Sequence, residues 1–337
     1  MKIFSGSSNK PLTAKIAKEL DLKLSDTEIF IFPDGERRVR ILENVVDEDV
    51  VVIQTTSPNP DTYYIELFFL VDAAKRSGAK SITAIVPYLG YQRQDHVFRE
   101  GEAVSLEVII ETLEAVGMDR LITLDLHSIK IPELFKISIV HLSALPIFAE
   151  KIRQLSVLGN QLSETGRSVI GSSVQTNRRQ INQNPKTENR KPTTDCLLVS
   201  PDMGGIRRIK ILSELLFDAP FVSVVKDRDL KTGEVKSSRF DRDLGFKKDK
   251  KRAIIVDDMI STGRTIKAAC DLVWSAGIEE IYVFATHPVF SNDYKNILQN
   301  SKAGKIFVTD TIDVPEEKRF GKLEILSVSK MIAEELK

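Results

Sequence analysis

Short apolar runs that stop abruptly at polar residues set the rhythm of this chain. Residues 81–86 stop at Pro87-Tyr88, residues 121–124 at Asp125-Leu126-His127, and residues 196–199 at Ser200-Pro201-Asp202. Residues 253–256 stop at Asp257-Asp258, and residues 281–285 at Thr286-His287-Pro288. Four to six apolar residues without alternation fit strands buried on both faces of a parallel sheet. Gly78, Gly117 and Gly277 each follow a helix-like segment and stand four positions before Ile82, Leu121 and Ile281. A glycine there can end a helix in a left-handed conformation and turn the chain into the next strand. The repeating unit is helix, glycine, strand, polar tip. It predicts an α/β protein whose sheets are open, mostly parallel and flanked by helices. In such folds ligands bind beyond the carboxyl ends of the strands, so the polar tips are the first candidates for a site. The spacing of Val328, Met331, Ile332 and Leu336 predicts a terminal helix docked on one of the domains.

One stretch breaks the pattern. Residues 160–194 are rich in Asn, Gln, Ser and Thr, carry six basic residues against two acidic ones, and hold few large apolar residues. Such a stretch cannot bury enough surface to offset the entropy of ordering, so it reads as a mobile insertion.

Length and charge narrow the picture. The 337 residues suit two domains, divided here into about 1–145 and 146–337. Lys+Arg and Asp+Glu both number 48, so no basic excess points to nucleic acid. No run of about 18 apolar residues exists to span a membrane, and the N-terminus has no apolar signal region. Two cysteines, Cys196 and Cys270, are too few for a disulfide scaffold or a four-cysteine zinc site. The expected location is the cytoplasm. Walker-type P-loop, Gly-x-Gly-x-x-Gly, His-Glu-x-x-His, Cys-x-x-Cys and Gly-x-Ser-x-Gly motifs are absent.

The strongest chemical signal runs from Ala253 to Ile266, where a buried strand ends in two carboxylates followed by Ser261-Thr262-Gly263-Arg264-Thr265 and a helix. Successive backbone N–H groups at a helix N-terminus bind anions, and the hydroxyls of Ser261, Thr262 and Thr265 can add donors. Adjacent carboxylates would repel a phosphate, so Asp257 and Asp258 need another partner, either vicinal ribose hydroxyls or a divalent metal. The reading is a sugar-phosphate clamp.

This stretch resembles the phosphoribosyl-pyrophosphate loop of the type I phosphoribosyltransferase fold. Phe32-Pro33-Asp34-Gly35-Glu36, residues 87–95, Asp125-Leu126-His127, Asp202-Met203-Gly204-Gly205 and residues 285–290 follow in order. With them, the chain is similar to the ribose-phosphate pyrophosphokinases along nearly its whole length, the 160–194 insertion excepted. The resemblance implies two phosphoribosyltransferase-like domains, the first with ATP-side motifs and the second with the ribose 5-phosphate loop. It implies transfer of the diphosphoryl group of ATP to the anomeric hydroxyl of ribose 5-phosphate, giving phosphoribosyl pyrophosphate and AMP, with Mg2+ as cofactor. By the same resemblance, residues 257, 258 and 261–265 would bind ribose 5-phosphate: Asp257, Asp258, Ser261, Thr262, Gly263, Arg264 and Thr265. His127 and Asp202 would hold the metal. Lys226 and Arg228, at the start of a flexible loop, would be the catalytic basic pair. Arg93, Gln94 and Asp95 would bind ATP, and Phe32, Asp34 and Glu36 would reach the adenine from a neighbouring subunit. That sharing implies a homo-oligomer, with a dimer as the minimum and a hexamer built from dimers as the fuller assembly. The rival reading is a catalytically weak regulatory homologue that binds nucleotide or a synthetase partner.

Some positions depart from the family pattern. Arg264 stands where Gly is usual, which predicts backbone strain if that residue has positive φ. His96 stands where Lys or Arg is common, and residues 131–135 lack the usual glutamine-rich form.

Overall fold

The computed structural model describes residues 1–164, 196–228, 235–241 and 252–337. In the first half, strands β1 (Lys2–Ser5), β2 (Leu24–Ser25), β3 (Thr27–Ile31), β4 (Arg37–Ile41), β5 (Asp49–Ile53), β6 (Ser81–Val86), β7 (Arg120–Leu124) and β8 (Ser138–Leu142) alternate with helices α1 (Lys10–Glu19), α2 (Pro60–Arg76) and α3 (Ser105–Ala115). Six of the strands form a parallel sheet in the order β2-β1-β5-β6-β7-β8. The other two, β3 and β4, pair antiparallel as a separate hairpin. Helix α4 (Leu145–Glu164) then leads toward the second half. The polar stretch 160–194 therefore begins inside α4, and the rest of it lies outside the described residues.

The second half contains β9 (Cys196–Ser200), α5 (Ile206–Leu215), β10 (Phe221–Arg228), β11 (Val235–Phe240), β12 (Arg252–Met259), α6 (Arg264–Ser275), β13 (Glu280–His287), α7 (Tyr294–Gln299), β14 (Lys305–Thr309), β15 (Leu323–Leu326) and α8 (Ser329–Glu335). Its seven-stranded sheet runs β11-β10-β9-β12-β13-β14-β15, parallel except for β11. Both sheets are of the kind the apolar runs predict. β9 is buried at every position, and β12 is buried from Ala253 to Val256 before its carboxylate tip. Buried residues on both faces need helical cover, which α4, α5 and α6 give the second sheet.

Gly78, Gly117 and Gly277 have φ of 88°, 100° and 89°, and β6, β7 and β13 each begin three residues later. The left-handed turn that only glycine takes without strain thus feeds three parallel strands.

The chain's end returns to its beginning. Val328 and Ile332, both fully buried, pack with Ile3, Leu12 and Ile16, so α8 lies on α1 of the first half. Polar bonds reinforce the junction: Lys15 Nζ meets the Asp310 carboxylate at 2.8 Å, and Asn9 Nδ2 donates to the Asp310 carbonyl at 2.8 Å. Among the described residues, no helix is long and apolar enough to cross a membrane.

Candidate active site

The carboxyl ends of β7 and β12 face each other between the two sheets. His127, two residues past Asp125 at the tip of the first sheet, places Nδ1 2.6 Å from Oδ2 of Asp258 at the tip of the second. Arg208, from α5, brings its guanidinium nitrogens to 3.7 Å from both Asp257 and Asp258. A cavity of about 190 Å³ opens at this meeting point, lined by Arg93, His127, Asp202, Asp257, Asp258 and the loop that follows.

Local sequence explains the shape of that loop. Gly263 has φ of 77°, and a Cβ there would stand 2.9 Å from the Leu298 side chain. Both the left-handed backbone and the close approach require glycine. Helix α6 starts at the next residue, so its first-turn N–H groups, which lack partners within the helix, front the cavity. Ser261, Thr262 and Thr265 line the same space. Arg264 is not strained, because the positive φ belongs to Gly263 and Arg264 is the first helical residue. Its side chain is exposed and is not part of the cavity wall.

Charge is distributed unevenly over the site. Burial works to raise the Asp258 pKa, but the His127 hydrogen bond and the Arg208 charge override it and hold the carboxyl below the usual carboxylate range. Burial and the neighbouring Asp258 charge push Asp257 well above that range, only partly offset by Arg208. Its Oδ1 accepts the backbone N–H of Asp258 at 2.9 Å. The Asp258 carboxylate in turn raises the His127 imidazole by accepting its hydrogen bond, against the desolvation that would lower it. The pair is thus unequal: Asp258 is held ionised, while Asp257 takes up a proton more readily than a free carboxylate does.

Asp202 accepts the Gly205 N–H at 3.2 Å and caps the short 3-10 turn Met203–Gly205, facing the cavity from the end of β9. Among the described residues, no three or more His, Cys, Asp or Glu side chains gather closely enough to cage a metal. The Asp202 carboxylate on this open cavity suits magnesium, which keeps several waters, through one of which the His127 ring could hold it, and leans on substrate phosphates.

Arg93 lines this cavity and two adjoining ones, of about 760 Å³ and 500 Å³. Asp95, bonded to the His96 ring at 2.7 Å, lines the larger, and Gln94 the other. Phe32, Asp34 and Glu36 are not brought to these cavities. They form the β3–β4 turn, closed by Phe32 N to Glu36 O at 2.8 Å with Gly35 at φ of 94°. Phe30 and Phe32 contact edge to face at 5.0 Å, with Arg38 over both rings, and both are exposed. Lys226 and Arg228 occupy the last part of β10, paired antiparallel with β11 across a register shift at Asp227/Arg228. The backbone at this pair is thus strand, where a flexible loop was expected; residues 229–234 and both side chains lie outside the described residues.

Sequence reasoning underrated two residues. Arg208 stands beside Arg207 with only its charge to mark it, yet it bridges the carboxylate pair. Gln92, 1% exposed, accepts the His127 backbone N–H at 2.8 Å; nothing in its spacing marks it.

Comparison with known proteins places these features in a family. The family profile for the N-terminal domain of ribose phosphate pyrophosphokinase matches residues 1–117, and that for the phosphoribosyl transferase domain matches residues 170–316. Ribose-phosphate pyrophosphokinase 1 of Streptococcus pneumoniae is 32% identical over 334 residues, covering 99% of this chain and 92% of the relative. The ribose-phosphate pyrophosphokinase of Fusobacterium nucleatum is 34% identical over 334 residues, covering 99% and 93%. The crystal structure of phosphoribosylpyrophosphate synthetase from Mycobacterium smegmatis superposes with a TM-score of 0.81 at 28% identity, covering 99% of this chain and 97% of that one.

Proposed function

The chain belongs to the ribose-phosphate pyrophosphokinase family, and from that premise we propose how its residues divide the work of the reaction. The enzyme joins the anomeric oxygen of ribose 5-phosphate to the β-phosphorus of ATP, releasing AMP and forming phosphoribosyl pyrophosphate. Such a transfer asks the protein for positioning and charge neutralisation, with no covalent chemistry of its own.

The loop of residues 257–265 takes the sugar phosphate. First-turn amides of α6 with Ser261, Thr262, Gly263 and Thr265 bind the 5-phosphate, while Asp257 and Asp258 receive ribose hydroxyls. Arg264, exposed at the helix start, adds positive charge without joining the wall. Arg93, Gln94 and Asp95 bind ATP from the first half. His127 and Asp202 are the residues that would hold Mg2+. When bound, the ion neutralises charge on the phosphate oxygens. Lys226 and Arg228 supply the positive charge that stabilises the charge developing on the transferred group.

The observation that carries this reading is the 2.6 Å bond between His127 and Asp258, which joins the nucleotide-side tip to the sugar-side tip at one cavity. The β3–β4 turn stands apart from that cavity with two exposed aromatic rings, which supports its use on a neighbouring subunit. The active unit is then a homo-oligomer, a dimer at least and a hexamer in full, working in the cytoplasm.

Lys226→Ala tests the assignment at the residue of greatest leverage. A group acting on the transition state loses turnover and leaves ground-state binding alone. The expected result is a kcat lower by about 100-fold or more, with KM for ATP within about threefold. Turnover within about threefold of the parent, a loss well under 1 kcal/mol, removes Lys226 from the reaction.

A further inference from the structure

We infer that Asp125 and Thr286 form a buried clasp between the two halves that positions His127 over the sugar-phosphate loop. The inference rests on the role proposed for His127 and adds two positioning residues to it.

The Asp125 side chain is almost fully buried, and its carboxylate accepts three hydrogen bonds. Ser143 Oγ donates to Oδ1 at 2.8 Å, and Ala144 N to Oδ2 at 2.9 Å; both residues lie just before α4. The third donor comes from the other sheet: Thr286 Oγ1 reaches Oδ2 at 2.6 Å. One residue further along β13, the buried His287 sets Nε2 3.3 Å from the Asp125 carbonyl oxygen. Its Nδ1 lies 3.0 Å from Thr311 Oγ1, and the Thr311 carbonyl accepts from Thr55 Oγ1 of the first half at 2.8 Å. Asp125 has φ of 32°, a region that a residue with a side chain occupies only when its surroundings hold it there.

The geometry makes this junction a lever on His127. Strands β12 and β13 are in register, with Asp257 beside Ala285 and Met259 beside His287, so Thr286 stands next to Asp258. Asp125 stands two residues before His127. The chain thus crosses between the halves twice in succession: a buried link from Asp125 to Thr286, and an outer link from His127 to Asp258 at the cavity. The tip itself is fixed within its own half. Asp125 N donates to Leu142 O, Leu126 N to His141 Nε2 at 2.9 Å, and His127 N to Gln92 Oε1 at 2.8 Å. What remains to be set is where this rigid tip sits relative to β12, and the buried link sets it. Misplacing a reacting constellation by about 1 Å can lower rate by about 100-fold.

Thr286→Val removes the hydroxyl at nearly constant volume, and Thr286→Ser restores it. Ribose 5-phosphate binding, measured by calorimetry without metal or nucleotide, should stay within about threefold in both, since that loop belongs wholly to the second half. In Thr286→Val, kcat should fall by about tenfold or more, and Mn2+ affinity, read from its electron paramagnetic resonance signal, should weaken. Thr286→Ser should recover both. Asp125→Asn, which keeps the size of the group while removing one acceptor, serves as the second variant should Thr286→Val fail to fold, and is expected to lose kcat and Mn2+ affinity in the same way. A folded Thr286→Val or Asp125→Asn with parental kcat and Mn2+ affinity would sink the clasp, as would a Thr286→Ser no better than Thr286→Val. His127→Ala separates the two claims. Full activity in that variant overturns the role of His127 itself, whereas an inactive His127→Ala beside a fully active Thr286→Val overturns only the clasp.

Discussion

Asp258 is the residue on which the site turns. It is buried to 4% exposure, bonded to His127, close to Arg208 and held ionised by both. Ribose hydroxyls donating to it would make charge-assisted hydrogen bonds, each worth about 1.5–3 kcal/mol. Asp258→Ala should therefore weaken the binding of ribose 5-phosphate by about 10-fold or more, as read by calorimetry. An unchanged dissociation constant would remove the clamp from the account. The carboxylate pair was legible in sequence because two adjacent acids at the end of an apolar run have few structural explanations. Their compensation was not, because Arg208 is about fifty residues away along the chain and only the fold brings α5 to β12. Arg264 runs the other way. Its departure from the family pattern predicts strain, yet the neighbouring Gly263 absorbs the left-handed turn and leaves Arg264 an ordinary helix start.

At the scale of elements, the strands that stop at polar tips were readable because burial on both faces leaves no alternation to confuse them. β5 and β14 carry much the same signature and belong with them. The strands β1, β2 and β15 are only 4, 2 and 4 residues long, too short for periodicity to speak. The β3–β4 hairpin resists reading for another reason: it carries charged residues among apolar ones, and none of its strand positions is buried. The terminal helix α8 was visible as an amphipathic segment, but its docking partner was not, since nothing local distinguishes one apolar surface from another. Ile332 is fully buried against residues from the chain's first 16. Ile332→Ala should lower stability by about 2–5 kcal/mol, a large core truncation despite its place near the terminus. Denaturant unfolding checks this, and a loss under about 1 kcal/mol would mean that α8 is not part of the core.

At the scale of the molecule, the two sheets behave as two half-sites. One brings Arg93 and His127, the other brings Asp202 and the loop of residues 257–265, and neither half alone encloses the cavity. Beside its apolar packing, the seam between them carries a specific polar network built from Asp125, Thr286, His287, Thr311 and Thr55. Its members are scattered from position 55 to position 311, so no window of sequence could have assembled them. The division into two halves was legible from length and from the motif order, whereas the way they are latched together was not. The most direct test of the whole account is to supply ATP, Mg2+ and ribose 5-phosphate and to quantify AMP and phosphoribosyl pyrophosphate together. The account predicts both products in equal amounts, with neither formed when sugar or metal is omitted. Binding of ATP and ribose 5-phosphate without AMP formation would contradict it, and would make the chain a nucleotide-binding relative of the enzyme.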